Sequence, residues 1–130
     1  MSHFVTIRTE IREREHLVGA LRDLGLDFTE GQGLTVRGDA RRGETADIVI
    51  RTGAAADIGL RWSGGVFEVV ADWYRVEQTT ALRRKQFLGE LQRRYARRVV
   101  LDQAKAQNLV VEEERLENGD IVLLLSEREG

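Results

Sequence analysis

The chain has 130 residues, 42% hydrophobic and 32% charged, the balance of a globular chain with one sizeable core. It contains no cysteine, which excludes disulfides, thiolate metal sites, cysteine nucleophiles and iron–sulfur ligation. A net charge of −2 does not mark a nucleic-acid binder; no apolar run has the length of a membrane span, the start lacks a signal peptide's apolar core, and a cytoplasmic location is expected.

Residues 4–11 alternate, with Val5, Ile7, Thr9 and Ile11 on one side, and predict a half-buried strand. Leu17, Leu21 and Leu24 then recur at helical spacing, so a helix is expected over 12–24, with Gly25 as its left-handed C′ residue. Strand signals follow at 27–30, 34–37 and 46–51, separated by the polar stretch 38–45 with its Arg41, Arg42 and Gly43. In the middle, Asp57 to Trp62 alternates, Ser63-Gly64-Gly65 turns, and residues 66–73 return. Ile58, Leu60 and Trp62, with Phe67, Val69, Ala71 and Trp73, are expected on the core side of this hairpin.

A long second helix is expected from Thr79 or Thr80 to Gln107, with Leu82 leading into a stripe of Phe87, Leu88, Leu91, Tyr95, Val99 and Ala104. A last hairpin turns at Asn118-Gly119 between residues 109–115 and 120–126, ahead of a frayed end at 127–130. The order β-α-β-β-β-β-α-β-β, without βαβ alternation, predicts an α+β two-layer sandwich. A mainly antiparallel sheet of about six to seven strands would carry both helices on one face, in a single domain over 1–130.

Several segments carry a family resemblance. They are the start Met1-Ser2-His3-Phe4-Val5-Thr6-Ile7, Ala56-Asp57-Ile58-Gly59-Leu60, and Phe67-Glu68-Val69-Val70-Ala71-Asp72-Trp73-Tyr74. Leu91-Gln92-Arg93-Arg94-Tyr95-Ala96, Val100-Leu101-Asp102-Gln103-Ala104-Lys105 and the Asn118-Gly119 hairpin complete the set. Over nearly its whole length the chain resembles the hypothetical chloroplast open reading frame thirty-five family, a domain of unknown function in bacteria, cyanobacteria and some plastid genomes. The resemblance carries over no catalytic residue, cofactor or metal. It implies life as a component of an assembly, with an AAA-type ATPase as a partner.

Two surfaces are candidates for function. Residues 79–105 carry a net +6 and residues 106–130 a net −5. Arg83, Arg84, Arg93, Arg94, Arg97 and Arg98 form a candidate docking surface for an acidic partner or a nucleic-acid backbone, because guanidinium forks match carboxylates and phosphates. Its bland alternative is a solvated face paired with the acidic Glu112-Glu113-Glu114. Asp57, Arg61, Glu68 and Asp72 form a candidate polar sheet face, open to acid–base chemistry or a divalent cation but explained as well by cross-strand ion pairing. Val66 and Val70 share that outer face, which suggests that a partner partly covers it. His3 and His16 lack a second ligand at diagnostic spacing, and no glycine stretch has a phosphate-binding pattern. The favoured reading is a non-catalytic binding or adaptor protein acting on another protein or a second copy. The alternatives are a nucleic-acid-associated protein or an enzyme.

Overall fold

The computed structural model describes residues 3–39 and 43–128. In chain order the elements are β1 (Phe4–Arg8), α1 (Arg14–Asp23), β2 (Phe28–Val36), β3 (Glu44–Arg51), β4 (Asp57–Ser63) and β5 (Val66–Asp72). Then come α2 (Trp73–Thr79), α3 (Arg84–Ala106), β6 (Leu109–Arg115) and β7 (Ile121–Glu127). An antiparallel sheet of order β1-β5-β4-β3-β2 forms the body, and β6 pairs with β7 in a separate two-stranded sheet. The fold is α+β with mainly antiparallel strands, as the element order predicts.

The alternation of β4 and β5 builds the core directly. Leu60 lies opposite Val69 and Ile58 opposite Ala71, and on β3 Ile48 and Ile50 face Leu60 and Ile58. Leu17, Val18, Ala20 and Leu21 of α1, Trp73 and Val76 of α2, and Phe87 and Leu91 of α3 close over these residues. Each fully buried aliphatic side chain here contributes about 1.5–3 kcal/mol. Gly25, at φ +69°, ends α1 as predicted, while Leu26 N–H reaches back to the Leu21 carbonyl.

On the opposite face the sheet closes on itself, with Val36 of β2 and Ala46 of β3 lying against Gly59 of β4. Val36, Ala46 and Val49 form a second apolar cluster there, with Phe4 and Leu34 against it. The approach demands missing side chains: a Cβ on Gly59 would lie 2.5 Å from Val36 Cγ2, and one on Gly38 would lie 2.5 Å from Phe4 Cζ. A register irregularity between Glu30 and Leu34 lets β2 change faces, so that Phe28 packs on the helix side and Leu34 on the other. The cover suggested by Val66 and Val70 therefore comes from within the chain, and both are buried.

Four expectations are corrected. Trp73 opens a helix instead of ending a strand, because Asp72 Oδ1 accepts the Arg75 N–H and caps α2. Thr80 closes that helix rather than opening the next: its hydroxyl donates to the Val76 carbonyl at 2.8 Å and accepts Leu82 N–H at 3.0 Å. The described residues thus form three helices, and the long one begins at Arg84. Trp62 is 49% exposed; it stands one residue before the β4–β5 turn, past the end of the core, with Phe67 edge-on against its ring. Finally, the strands divide into sheets of five and two. Helix α3 has 23 residues, about 34 Å at roughly 1.5 Å per residue, and carries β6 and β7 away from the main sheet. Ala40–Arg42, the centre of the polar stretch, and the last two residues of the expected frayed end lie outside the described residues, although Glu127 still belongs to β7. Among the described residues, no helix is long and apolar enough to cross a membrane.

Candidate functional site

The arginine side of α3 faces its own chain. Arg98 Nε donates to Asp23 Oδ2 of α1 at 2.6 Å, and Arg97 pairs with Glu113 of β6. Arg93 lies 3.3 Å from Glu90 and 3.4 Å from Asp120 near the hairpin turn. Among the described residues Arg94 makes no ion pair close enough to count as a contact, and its Nε is buried without a partner, yet its charge acts on both Asp23 and Glu113. The Arg98 hydrogen bond, opposed by burial, holds the Asp23 carboxyl below the usual carboxylate value. Arg97 does the same for Glu113. Arg83 lies across the end of α2, donating to the carbonyls of Glu77, Thr80 and Leu82. The exposed Arg84 side chain makes no ion pair among the described residues. The six arginines therefore divide by role, and three of them, Arg93, Arg97 and Arg98, join α3 to α1 and to the hairpin.

The polar sheet residues separate in the same way. Asp57 is fully buried, held by Arg37 through Nε at 2.9 Å and Nη2 at 2.8 Å, by Arg51 Nη1 at 2.8 Å, and by the Arg37 backbone N–H at 3.0 Å. Burial pushes this carboxyl up, but the Arg37 hydrogen bonds and the charges of Arg37 and Arg51 outweigh it and leave it below the ordinary value. Arg61 stands opposite Glu68, 3.5 Å away, and also reaches Glu44 at 3.1 Å, while Arg8 approaches Glu68 from β1 at 3.6 Å. Asp72 is buried at the other end of β5. Its Oδ1 accepts Arg75 N–H and its Oδ2 accepts Asp39 N–H. The hairpin tip brings Asp39 there, and β1 brings His3, so one ligand atom from each of His3, Asp39 and Asp72 lies within 4.8 Å of the others.

Sequence reasoning missed this convergence because Asp39 and His3 are 33 and 69 residues from Asp72 in the chain. A composition signal was present only in Gly38, whose lack of a side chain permits the close approach. The His16 side chain is only 11% exposed. It lies between Glu13, 2.8 Å from Nδ1, and Asp102 of α3, 3.4 Å from Nε2. The contact to Glu13 is close but poorly directed, and Nδ1 makes no formed hydrogen bond.

Around α3 the surface is apolar and concave. A groove of about 960 Å³ runs between Leu24 and Leu26, Leu82 ahead of α3 with Phe87 and Leu88 on its first turns, and Asn118 at the hairpin tip. A second cleft, about 630 Å³, separates Ala96 and Val100 of α3 from Ile121, Leu123 and Leu125 of β7. Beyond it, the free face of the hairpin carries Val110, Val122 and Leu124 among Glu112 and Glu114.

These features define an α+β domain with a five-stranded antiparallel sheet, helices on one face, a small second apolar cluster on the other, and an appended two-stranded arm. The profile of the family described as Protein of unknown function (DUF1257) matches residues 20–124, and the chain belongs to that family. The chain is similar to the Uncharacterized protein ycf35 of Guillardia theta, with 32% identity over 126 residues, or 96% of each chain. It is also similar to that of Pyropia yezoensis, 32% identical over 107 residues, 82% of this chain and 81% of the relative. The same protein of Cyanophora paradoxa is 28% identical over 126 residues, 96% of each. No solved structure matches the chain at a significant level. The family resemblance seen in the sequence is thereby shown.

Proposed function

We propose that this chain is a non-catalytic binding and adaptor protein of the cytoplasm, folded as one domain, that docks a protein partner on its C-terminal hairpin. One observation carries the reading. Of the seven exposed large hydrophobic residues among those described, four, Val110, Leu116, Leu124 and Leu125, lie in or at the turn of this arm, Leu124 being 55% exposed. The other three, Val5, Trp62 and Tyr74, are scattered over the main domain, whose sheet has an apolar cluster on each side. An arm with two unpaired edges and exposed leucines is the part that gains most by being covered. Glu112, Glu114 and Glu117 surround the leucines, so a partner surface that is apolar with basic residues complements them.

The partner is another protein, with the AAA-type ATPase implied by the resemblance as one case and a second copy of this chain as another. Leu124→Asp should abolish partner capture while the thermal melt stays within a few degrees of the parent's. Light scattering on the pure protein distinguishes self-association from capture of a different chain. Unchanged capture and unchanged oligomeric state in Leu124→Asp would sink this reading. Nucleic-acid binding is the weaker alternative, since Arg93, Arg97 and Arg98 are already paired with carboxylates. An active site on the polar sheet face is weaker still, because Asp57 and Glu68 are held by arginines.

A further inference from the structure

We infer that His3, Asp39 and Asp72 form a binding site for a divalent transition-type cation, Zn²⁺ or Mn²⁺. The site is separate from the hairpin arm and independent of its proposed role.

Three elements that are distant in sequence supply the ligands: the start of β1, the tip of the β2–β3 hairpin, and the β5–α2 junction. An imidazole with two carboxylates suits cations that accept both nitrogen and oxygen, whereas Mg²⁺ and Ca²⁺ prefer oxygen alone. The ligand atoms lie within 4.8 Å of one another. Bonds of about 2.0–2.2 Å set the ligand atoms about 3.4 Å apart around a tetrahedral ion, so the pair at 3.8 Å closes by a few tenths of an ångström and any pair near the 4.8 Å limit by about an ångström or more.

Each ligand also keeps capacity for a metal. Asp39 Oδ1 takes the Arg75 guanidinium at 2.9 Å, leaving Oδ2, the atom that faces His3 Nδ1 at 3.8 Å. Asp72 accepts one backbone N–H on each oxygen, which leaves a lone pair on each. Its carboxylate is fully buried, and no cationic side chain among the described residues pairs with it. Buried charge without a counter-charge is costly, and a cation coordinated between Asp72, Asp39 and His3 would offset it. Among the described residues, the charged and titratable groups around the site are these three ligands and Arg75, with the Tyr74 ring packed edge-on against His3 and Glu77 and Arg84 lining the same pocket as His3. Arg75 opposes a metal directly, since its positive charge sits on Asp39.

That opposition makes the test specific. Full-length protein is titrated with ZnCl₂ and with MnCl₂ in a non-chelating buffer, following heat and thermal melting. One equivalent should bind and raise the melting temperature. His3→Ala and Asp39→Asn, both at exposed positions that leave the Asp72 helix cap intact, should weaken binding at least roughly tenfold. Arg75→Gln should strengthen it, whereas a purely structural ion cluster would lose stability without gaining metal affinity. No binding at millimolar metal overturns the inference, and so does binding that His3→Ala and Asp39→Asn leave unchanged.

Discussion

Asp57 shows how one buried side chain organises its surroundings. Its two oxygens receive four hydrogen bonds from Arg37, side chain and backbone, and from the Arg51 side chain, tying the end of β2 to β3 and β4. Removing one partner of a buried pair is far more costly than replacing the whole pair with apolar groups, because the remaining charges are left uncompensated. Arg37 and Arg51 are 49% and 36% exposed and can rehydrate once the carboxylate is gone, so Asp57→Ala should cost about 1–3 kcal/mol, read as a shifted urea midpoint with little change in slope. A loss under about 1 kcal/mol would mean that water screens the arginines as it does at a surface pair. The residue itself was legible in the sequence as a polar position beside an apolar strand. Its partners were not, since nothing in local spacing distinguishes Arg37 and Arg51 from the chain's other arginines.

At the scale of elements, α3 acts as a post that the core and the β6–β7 arm share. Its Phe87 and Leu91 are buried in the core, whereas the arginines further along hold α1 and the β6–β7 arm by ion pairs. The arm is a two-stranded sheet, a unit marginally stable in isolation, so its order depends on the Arg97–Glu113 and Arg93–Asp120 links and on the leucines facing α3. Arg97→Ala removes a partly exposed pair and should change global stability by no more than about 1 kcal/mol. Hydrogen exchange should nevertheless quicken at β6 and β7 amides while β4 and β5 amides keep their protection. Equal acceleration in all four strands would show that the arm unfolds only with the core. The Asn118-Gly119 turn and the alternation around it made this hairpin readable in the sequence. Its detachment from the main sheet was not readable, because it follows from the length and direction of α3.

Across the whole molecule, the ionic links weaken together as the solution becomes acidic. Asp23, Asp57 and Glu113 all hold their protons less tightly when folded than the ordinary values of 3.8 for Asp and 4.5 for Glu. The unfolded chain consequently takes up protons at higher pH than the folded one. The stabilisation from these carboxylates is complete above about pH 5 and is lost as pH falls through the ordinary values and then the lowered folded ones. Thermal melts from about pH 7 to about pH 2.5 should show a level plateau and then a steep acid decline. In Asp57→Asn the decline should be shallower, since one of its contributors is gone. An equally steep decline in that variant would place the acid sensitivity elsewhere.

Sequence alone determined what acts over a few residues. The strand alternation of β4 and β5, the left-handed stop at Gly25, the Asn118-Gly119 turn and the apolar stripe from Phe87 to Leu91 all depend on backbone angle and on periods of two or about 3.6 residues. The fold class followed from their order. Tertiary structure decided the rest: that the sheet closes on itself at its outer face, that Arg98 meets Asp23 across 75 residues, and that Asp39 meets Asp72 across 33. Those meetings depend on close packing of elements distant in sequence, made possible at Gly38 and Gly59 by the absence of a side chain. Periodicity carries no information about such distances, which is why charged residues that look alike in the chain become staples, a buried clamp and a candidate metal site only once it is folded.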